Sequence, residues 1–247
     1  MTRQQLALLR AKTPDYRCAV KRAGQLIQEA LEHSETWYIA LSGGKDSTVV
    51  LDLVRATAPH VPAVISIHKW RLPETTGYLQ RIADLHYVAS GSDHATGWAL
   101  NWNSREEAER EFPGIPWFER DADRQSFGRR EGGCFLGLRK DENSYRRMNL
   151  GSLGALHRSA LHAKWLCSPI ADWSTLDVWA YIHSRELDYN RAYDVMERIG
   201  VRLERQRVGP LAVERALGYG QLAILKRGWP GLWNEYAAAH PEARAYA

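Results

Sequence analysis

Thr36-Trp37-Tyr38-Ile39-Ala40-Leu41-Ser42-Gly43-Gly44-Lys45-Asp46-Ser47-Thr48-Val49-Val50-Leu51-Asp52-Leu53-Val54 carries three signals in succession. Residues 36–41 read as a short buried strand that ends in a Ser-Gly-Gly turn. From 47 to 58 the apolar residues Val49, Val50, Leu51, Leu53 and Val54 predict a helix packed on a sheet and closed by Pro59. A strand that runs through glycines straight into a helix suits a polyphosphate ligand. Glycine lets backbone N–H groups approach phosphate oxygens, and the helix N-terminus adds partial positive charge at the same point. Lys45 supplies a full charge, Ser42 and Ser47 supply hydroxyl donors, and Asp46 is a ligand for hydrated Mg²⁺ or an acceptor that fixes the loop. The spacing is shorter than in the Gly-x-x-x-x-Gly-Lys-Ser/Thr loop of kinases and GTPases.

The same alternation continues outward. Residues 17–33 have helical spacing before the strand; 61–67 read as a second strand, 74–84 as a helix and 85–88 as a third strand, the rhythm of a parallel sheet with crossover helices. Residues 91–132 lose it, with Trp98, Trp102, Trp117 and a charged run from Arg105 to Glu111, and are expected to form an insertion or lid. The rhythm resumes with a strand at 134–138. Ser174-Thr175-Leu176-Asp177 has the form of a helix N-cap. The division expected is an N-terminal helical segment 1–34, a nucleotide-binding α/β domain 35–190 and a helical C-terminal extension 191–247.

The chain has 247 residues, 33 Lys and Arg against 29 Asp and Glu, and ordinary hydrophobic content, which fits one α/β domain with an extension. The three cysteines, Cys18, Cys134 and Cys167, form no Cys-x-x-Cys pair of the kind that holds zinc or an iron–sulfur cluster, so no cluster is expected. Cys134 and Cys167 read as small buried residues. No apolar run of about 18 residues is present, and no signal peptide opens the sequence, so the expected setting is the cytoplasm with no membrane partner. Among the histidines, His157 and His162 lack metal-ligand spacing. Arg124, Arg129, Arg130, Arg139, Lys140, Arg146, Arg147, Arg158 and Lys164 outnumber the neighbouring acids, as a solvated face or a nucleic-acid track would.

Ser42-Gly43-Gly44-Lys45-Asp46-Ser47 resembles the pyrophosphate-binding loop of the N-type ATP pyrophosphatases, the adenine nucleotide α-hydrolase-like (PP-loop) superfamily. Three further segments resemble its phosphoadenosine phosphosulfate (PAPS) reductase family: Leu72-Pro73-Glu74-Thr75, Gly137-Leu138-Arg139-Lys140-Asp141-Glu142 with Arg146, and Pro169-Ile170-Ala171-Asp172-Trp173-Ser174 followed by Asp177-Val178-Trp179. The resemblance implies a Rossmann-like (HUP-type), mostly parallel α/β sheet flanked by helices. It implies ATP or a related adenine nucleotide with Mg²⁺ on the loop, residues near Glu74 bordering the adenine, and Arg139 and Arg146 facing phosphates or a sulfate-like anion. Lys45, Asp46, Arg139 and Arg146 are the expected catalytic residues.

The chain also departs from that family. A PAPS reductase works through a nucleophilic cysteine near its C-terminus, and no cysteine follows Cys167 here. Ile67-His68-Lys69-Trp70-Arg71 stands where the family often has Asp-Thr-Gly, and Asn143 where it often has Ser. The first expected function is therefore an ATP pyrophosphatase that releases AMP and pyrophosphate while adenylating an acceptor in nucleic-acid sulfur modification. A sulfur-donor protein, a nucleic-acid acceptor and a second copy of the chain are the expected partners. A divergent sulfonucleotide reductase and a non-catalytic nucleotide- or nucleic-acid-binding module are the alternatives.

Overall fold

In a computed structural model of the chain, residues 1–67, 70–89, 110, 132–161, 163–209, 211 and 220–247 are described. The insertion expected at 91–132 lies outside the described residues apart from Arg110 and Gly132, as do Arg124, Arg129, Arg130, His68, Lys69 and His162. The described residues fall into two compact units: one within Met1–Ile65, Asp84–His86 and Phe118–Tyr189, the other within Ser66–Ala83, Tyr87–Trp117 and Asn190–Ala247.

Helices α1 (Arg3–Ala11) and α2 (Pro14–Glu32) come first. Both have caps written in the sequence. Thr2 accepts from Gln5 N at 3.2 Å while the Gln5 side chain accepts from Thr2 N at 3.0 Å, and Thr13 caps α2 with Pro14 at the first helical position. The apolar spacing at 17–33 had placed the start of α2 three residues late, because it ignores this Thr-Pro pair. Strand β1 (Trp37–Leu41), helix α3 (Lys45–Thr57), strand β2 (Ala63–Ile67), helix α4 (Pro73–Leu79), strand β3 (Leu85–Ala89) and strand β4 (Gly133–Leu136) follow. Then come α5 (Ser144–Leu153), β5 (Leu156–Ser159), β6 (Lys164–Cys167) and α6 (Thr175–Ser184), and after residue 190 α7 (Ala192–Arg198), α8 (Gln221–Gly228) and α9 (Pro230–Ala239).

The strands form one sheet in the order β3-β2-β1-β4-β6-β5. β1 is parallel to both β2 and β4, β4 is parallel to β6, and the edge pair β5–β6 is antiparallel. This is the mostly parallel α/β sheet that the alternation predicted. Along β1, Trp37, Ile39 and Leu41 are buried. α3 buries Val49, Val50, Leu53 and Val54 completely or nearly so, each worth about 1.5–3 kcal/mol of transfer free energy. α6 is buried from Val178 to Ile182, so it is apolar on every side, whereas α5 buries Leu150 alone. Gly133 begins β4 because the Trp37 indole crosses it: a Cβ there would stand 2.3 Å from the ring.

In the second unit, α7, α8 and α9 pack around Leu72, Met196, Leu222, Leu225, Trp233 and Tyr236. Among the described residues no helix is long and apolar enough to cross a membrane.

Candidate functional site

β1 has parallel neighbours on both sides, and the strand order departs from it in opposite directions. Its carboxyl end is therefore the reversal point at which open α/β sheets bind their ligands. The loop 42–47 emerges there. Gly43 takes a φ of 75°, in the left-handed region that only glycine enters without strain. Gly44 is the N-cap of α3 and, having no side chain, makes no side-chain cap hydrogen bond to the first turn of that helix.

The two serines lace the loop together. The Ser42 hydroxyl lies 3.0 Å from the Ser47 hydroxyl and accepts from Gly44 N at 3.3 Å; Ser47 donates to Gly44 O at 3.0 Å and accepts from Ser42 N at 3.2 Å. Thr48 Oγ1 donates to the same Gly44 carbonyl at 2.9 Å. Ser42 and Ser47 thus shape the loop in the ligand-free chain. Gly137, the first residue past β4, braces it from behind: a Cβ on Gly137 would stand 2.8 Å from Ser47 N and 2.9 Å from the Asp46 carbonyl carbon.

The charges beside the loop are buried and paired. Lys45 is 4% exposed and its Nζ donates to Asp46 Oδ2 at 3.0 Å. Arg139, 2% exposed, donates from Nε to Asp46 Oδ1 at 2.5 Å. Burial pushes the Asp46 carboxyl up, but the charges of Lys45 and Arg139 and their hydrogen bonds outweigh it and hold the group below the ordinary aspartate range. Asp46 is therefore an ionised carboxylate with a cation on each oxygen.

Arg139 is anchored on every side. Its Nη1 donates to the Trp173 carbonyl at 3.2 Å and to Asp141 at 3.4 Å, and its Nη2 donates to Thr175 Oγ1 at 3.3 Å. It is a strut between the loop and the head of α6, and its guanidinium faces protein. Glu142 accepts from Arg139 N at 3.2 Å and pairs with Arg146 four residues on. Asn143, one of the departures from the family pattern, caps α5 by accepting from Arg146 N at 2.8 Å; Asn and Ser are interchangeable there as N-caps. The structure thus brings Ser42, Gly43, Gly44, Lys45, Asp46, Ser47, Arg139 and, through Glu142, Arg146 together.

Glu74 lies in the second unit, where both carboxylate oxygens accept from Trp229 Nε1, at 3.1 and 2.9 Å. Lys140 pairs with the exposed Asp172 at 2.7 Å, and His157 Nδ1 lies 3.0 Å from the Gly154 carbonyl. Sequence reasoning missed Gly137, Thr175 and the Trp173 carbonyl. The signal for Thr175 was at hand, since Ser174 and Asp177 form the expected capping box and place Thr175 in the first turn of α6.

Among the described residues no group of three His, Cys, Asp or Glu side chains converges as a metal site. One carboxylate, Asp46, lies at the loop, and its Oδ2 becomes a ligand donor once Lys45 leaves it for a phosphate. Such a set fits magnesium carried in by a triphosphate and largely hydrated, since that ion is usually held by one or two carboxylates plus substrate phosphates.

Cys134 and Cys167 sit on the neighbouring strands β4 and β6, while Cys18 on α2 is exposed. Burial pushes the Cys134 thiol up to about 11 and raises Cys167 further. The thiolate is the reactive form, so in the folded chain one thiol, Cys18, is expected to react with a disulfide reagent at pH 8. The other two should react only after denaturant is added. Fast labelling of Cys134 in the native protein would contradict this burial.

With this geometry in place, residues 124–202 match the phosphoadenosine phosphosulfate reductase domain family. No curated protein matches the chain. Among solved structures, phosphoadenylyl-sulfate reductase from Candida auris, in a phosphate complex, superposes with a TM-score of 0.51 at 18% identity, covering 76% of this chain and 88% of that one. The U34-tRNA thiolase NcsA from Methanococcus maripaludis, solved with its 4Fe-4S cluster, gives a TM-score of 0.38 at 15% identity, covering 94% of this chain and 80% of that one. The chain thus carries a PAPS reductase-type domain match over residues 124–202, on a sheet with the fold of the Candida auris enzyme.

Proposed function

We propose that the chain is an ATP pyrophosphatase of the PP-loop kind, acting in the cytoplasm, that adenylates an acceptor for sulfur modification of nucleic acid. The observation that carries this reading is the loop 42–47 at the reversal point of the sheet, with buried Lys45 beside the uncapped N-terminus of α3. The loop holds the β- and γ-phosphates as a departing unit. An acceptor oxygen forms a bond to the α-phosphorus, the bond from that phosphorus to the β-bridging oxygen breaks, and pyrophosphate leaves with the electron pair. AMP then departs when a sulfur nucleophile from a partner protein displaces it. Lys45 leaves Asp46 for the phosphate oxygens, Arg139 keeps Asp46 and the loop in place, and Arg146 offers charge at the rim. A magnesium ion bound with the triphosphate supplies further charge neutralisation. Catalysis is positioning and charge stabilisation.

A sulfonucleotide reductase is the second reading, favoured by the domain match at 124–202 and the Candida auris fold. Buried Cys134 and Cys167, both with raised thiols, are poor nucleophiles for it. Incubation with ATP labelled at the α- and γ-positions, with nucleic-acid acceptors present, decides between them. AMP and pyrophosphate are the expected products, and Lys45→Ala should reduce their formation by about 1.5–3 kcal/mol, roughly ten- to a hundredfold. ADP and free phosphate would reject cleavage at the α-phosphate, and sulfite release from PAPS would establish the reductase.

A further inference from the structure

From Ser144 to Ala171 the chain has no acidic residue, while Arg146, Arg147, Arg158 and Lys164 lie in the same stretch. That stretch folds as α5 and the β5–β6 hairpin, the antiparallel edge of the sheet. α5 buries one side chain, Leu150, and leaves large apolar groups in solvent: Tyr145 is 69% exposed and Met148 69%, and Leu161, at the hairpin turn, is 87% exposed. Arg147 and Arg158 are also exposed, and among the described residues no carboxylate lies within ion-pair distance of either. The stretch has a fixed position relative to the phosphate loop. Glu142, one turn before Tyr145, holds Arg146 and the Arg139 backbone, and Arg139 holds Asp46.

We propose that α5 and the β5–β6 hairpin form the surface that grips a single-stranded segment of nucleic acid and leads it to the phosphate loop. The charge is one-sided, which selects a polyanion. The apolar groups select a strand over a duplex, because unstacked bases offer faces to an exposed Tyr, whereas in a duplex those faces are stacked against one another. Arg147 and Arg158 contact phosphates, and Tyr145 stacks on a base. The proposal deepens the reading above by naming where its acceptor sits.

The test uses the full chain and a fluorescein-labelled 20-nucleotide single strand of mixed sequence, with its duplex for comparison, by fluorescence anisotropy over a salt series. The single strand should bind more tightly than the duplex. The double variant R147E/R158E should weaken binding at least tenfold and flatten the salt slope, by about 0.7 per lost phosphate contact. Tyr145→Ala should weaken binding roughly tenfold with the slope unchanged, since stacking releases no counterions. The double variant K21E/R22E on α2, an equal charge change elsewhere, should alter binding less than threefold. Absence of binding at low salt, equal losses from the α2 control, or cross-links between Tyr145 positions of two copies in a dimer would overturn the proposal. Hydrolysis of ATP to AMP and pyrophosphate with water as the attacking oxygen, measured on the same variants without nucleic acid, separates the two readings: strand binding sensitive to Tyr145 and Arg147 stands even if no ATP is cleaved, and ATP cleavage stands even if no strand binds.

Discussion

Gly137→Ala should reduce ATP cleavage by on the order of a hundredfold or more while the protein stays folded. The new methyl would meet Ser47 N at 2.8 Å and the Asp46 carbonyl carbon at 2.9 Å. Both are backbone atoms of the first turn of α3, so no side chain can swing aside; either the loop or the exit of β4 must shift. A displacement near 1 Å of groups that position a reacting phosphate is enough for losses of that order. Gly137 lies beyond the last residue of β4, so the strand pairings can persist, and the overpacking should cost about 1–3 kcal/mol of stability, which lowers the urea midpoint without unfolding the chain. A variant that unfolds as readily as it loses activity, or that cleaves ATP normally, would show that the loop tolerates the push.

Arg139→Ala is expected to cost about 3–5 kcal/mol of folding stability, the usual penalty for leaving a buried charge partner behind. The guanidinium makes the bond to Asp46, and its removal also orphans Thr175 Oγ1 and the Trp173 carbonyl as acceptors. Arg139→Lys should recover little, since one ammonium cannot reach all of these directions at once. The pH dependence follows from Asp46. Its folded pKa is depressed, so the stability it contributes is present above the unfolded value and is lost as pH falls through the folded one. The wild-type chain should lose stability in the acid range below pH 4, and Arg139→Ala should lose less there, because its Asp46 starts closer to the unfolded value. Urea denaturation at several pH values measures both effects.

β1, the glycine turn and α3 were legible because three local signals agreed: a buried run of strand formers, glycines at the turn and apolar residues on the helix. The cap of α6 was legible for the same reason. The β5–β6 hairpin was not. Leu156-His157-Arg158-Ser159 has one apolar residue in four and sits at the sheet edge, where neither alternation nor burial marks it. α1 falls inside the segment 1–34 expected to be helical, but its bounds and its break from α2 were not legible, since its apolar residues Leu6, Leu8 and Leu9 stay exposed and give weak periodicity although Thr2 and Gln5 form its capping box. At the site, Lys45 and Asp46 could be named from the loop pattern. That Arg139 donates to Asp46 could not: the two are 93 positions apart, and only the sheet brings the exit of β4 behind the loop. The hydrogen bonds from Trp229 to the Glu74 carboxylate were not legible either, since that pairing is 155 positions long.

α1 is tied to α6 by Arg10 Nε on Asp177 Oδ1 at 2.6 Å, and by the Arg3 guanidinium 4.0 Å above the Trp179 ring. Asp177 also closes the cap of α6, whose Thr175 steadies Arg139. Arg10 and Asp177 are 167 positions apart. At about 5–20 residues per second, a ribosome reaches Asp177 roughly 8–30 s after Arg10. During that interval α1 lacks α6, the helix it packs against most, and β1 lacks β4, its neighbour on one side, until residues 133–136 are made. The phosphate loop therefore cannot be braced until β4 and Arg139 have been made and α6, with Thr175 and Asp177, has closed over α1.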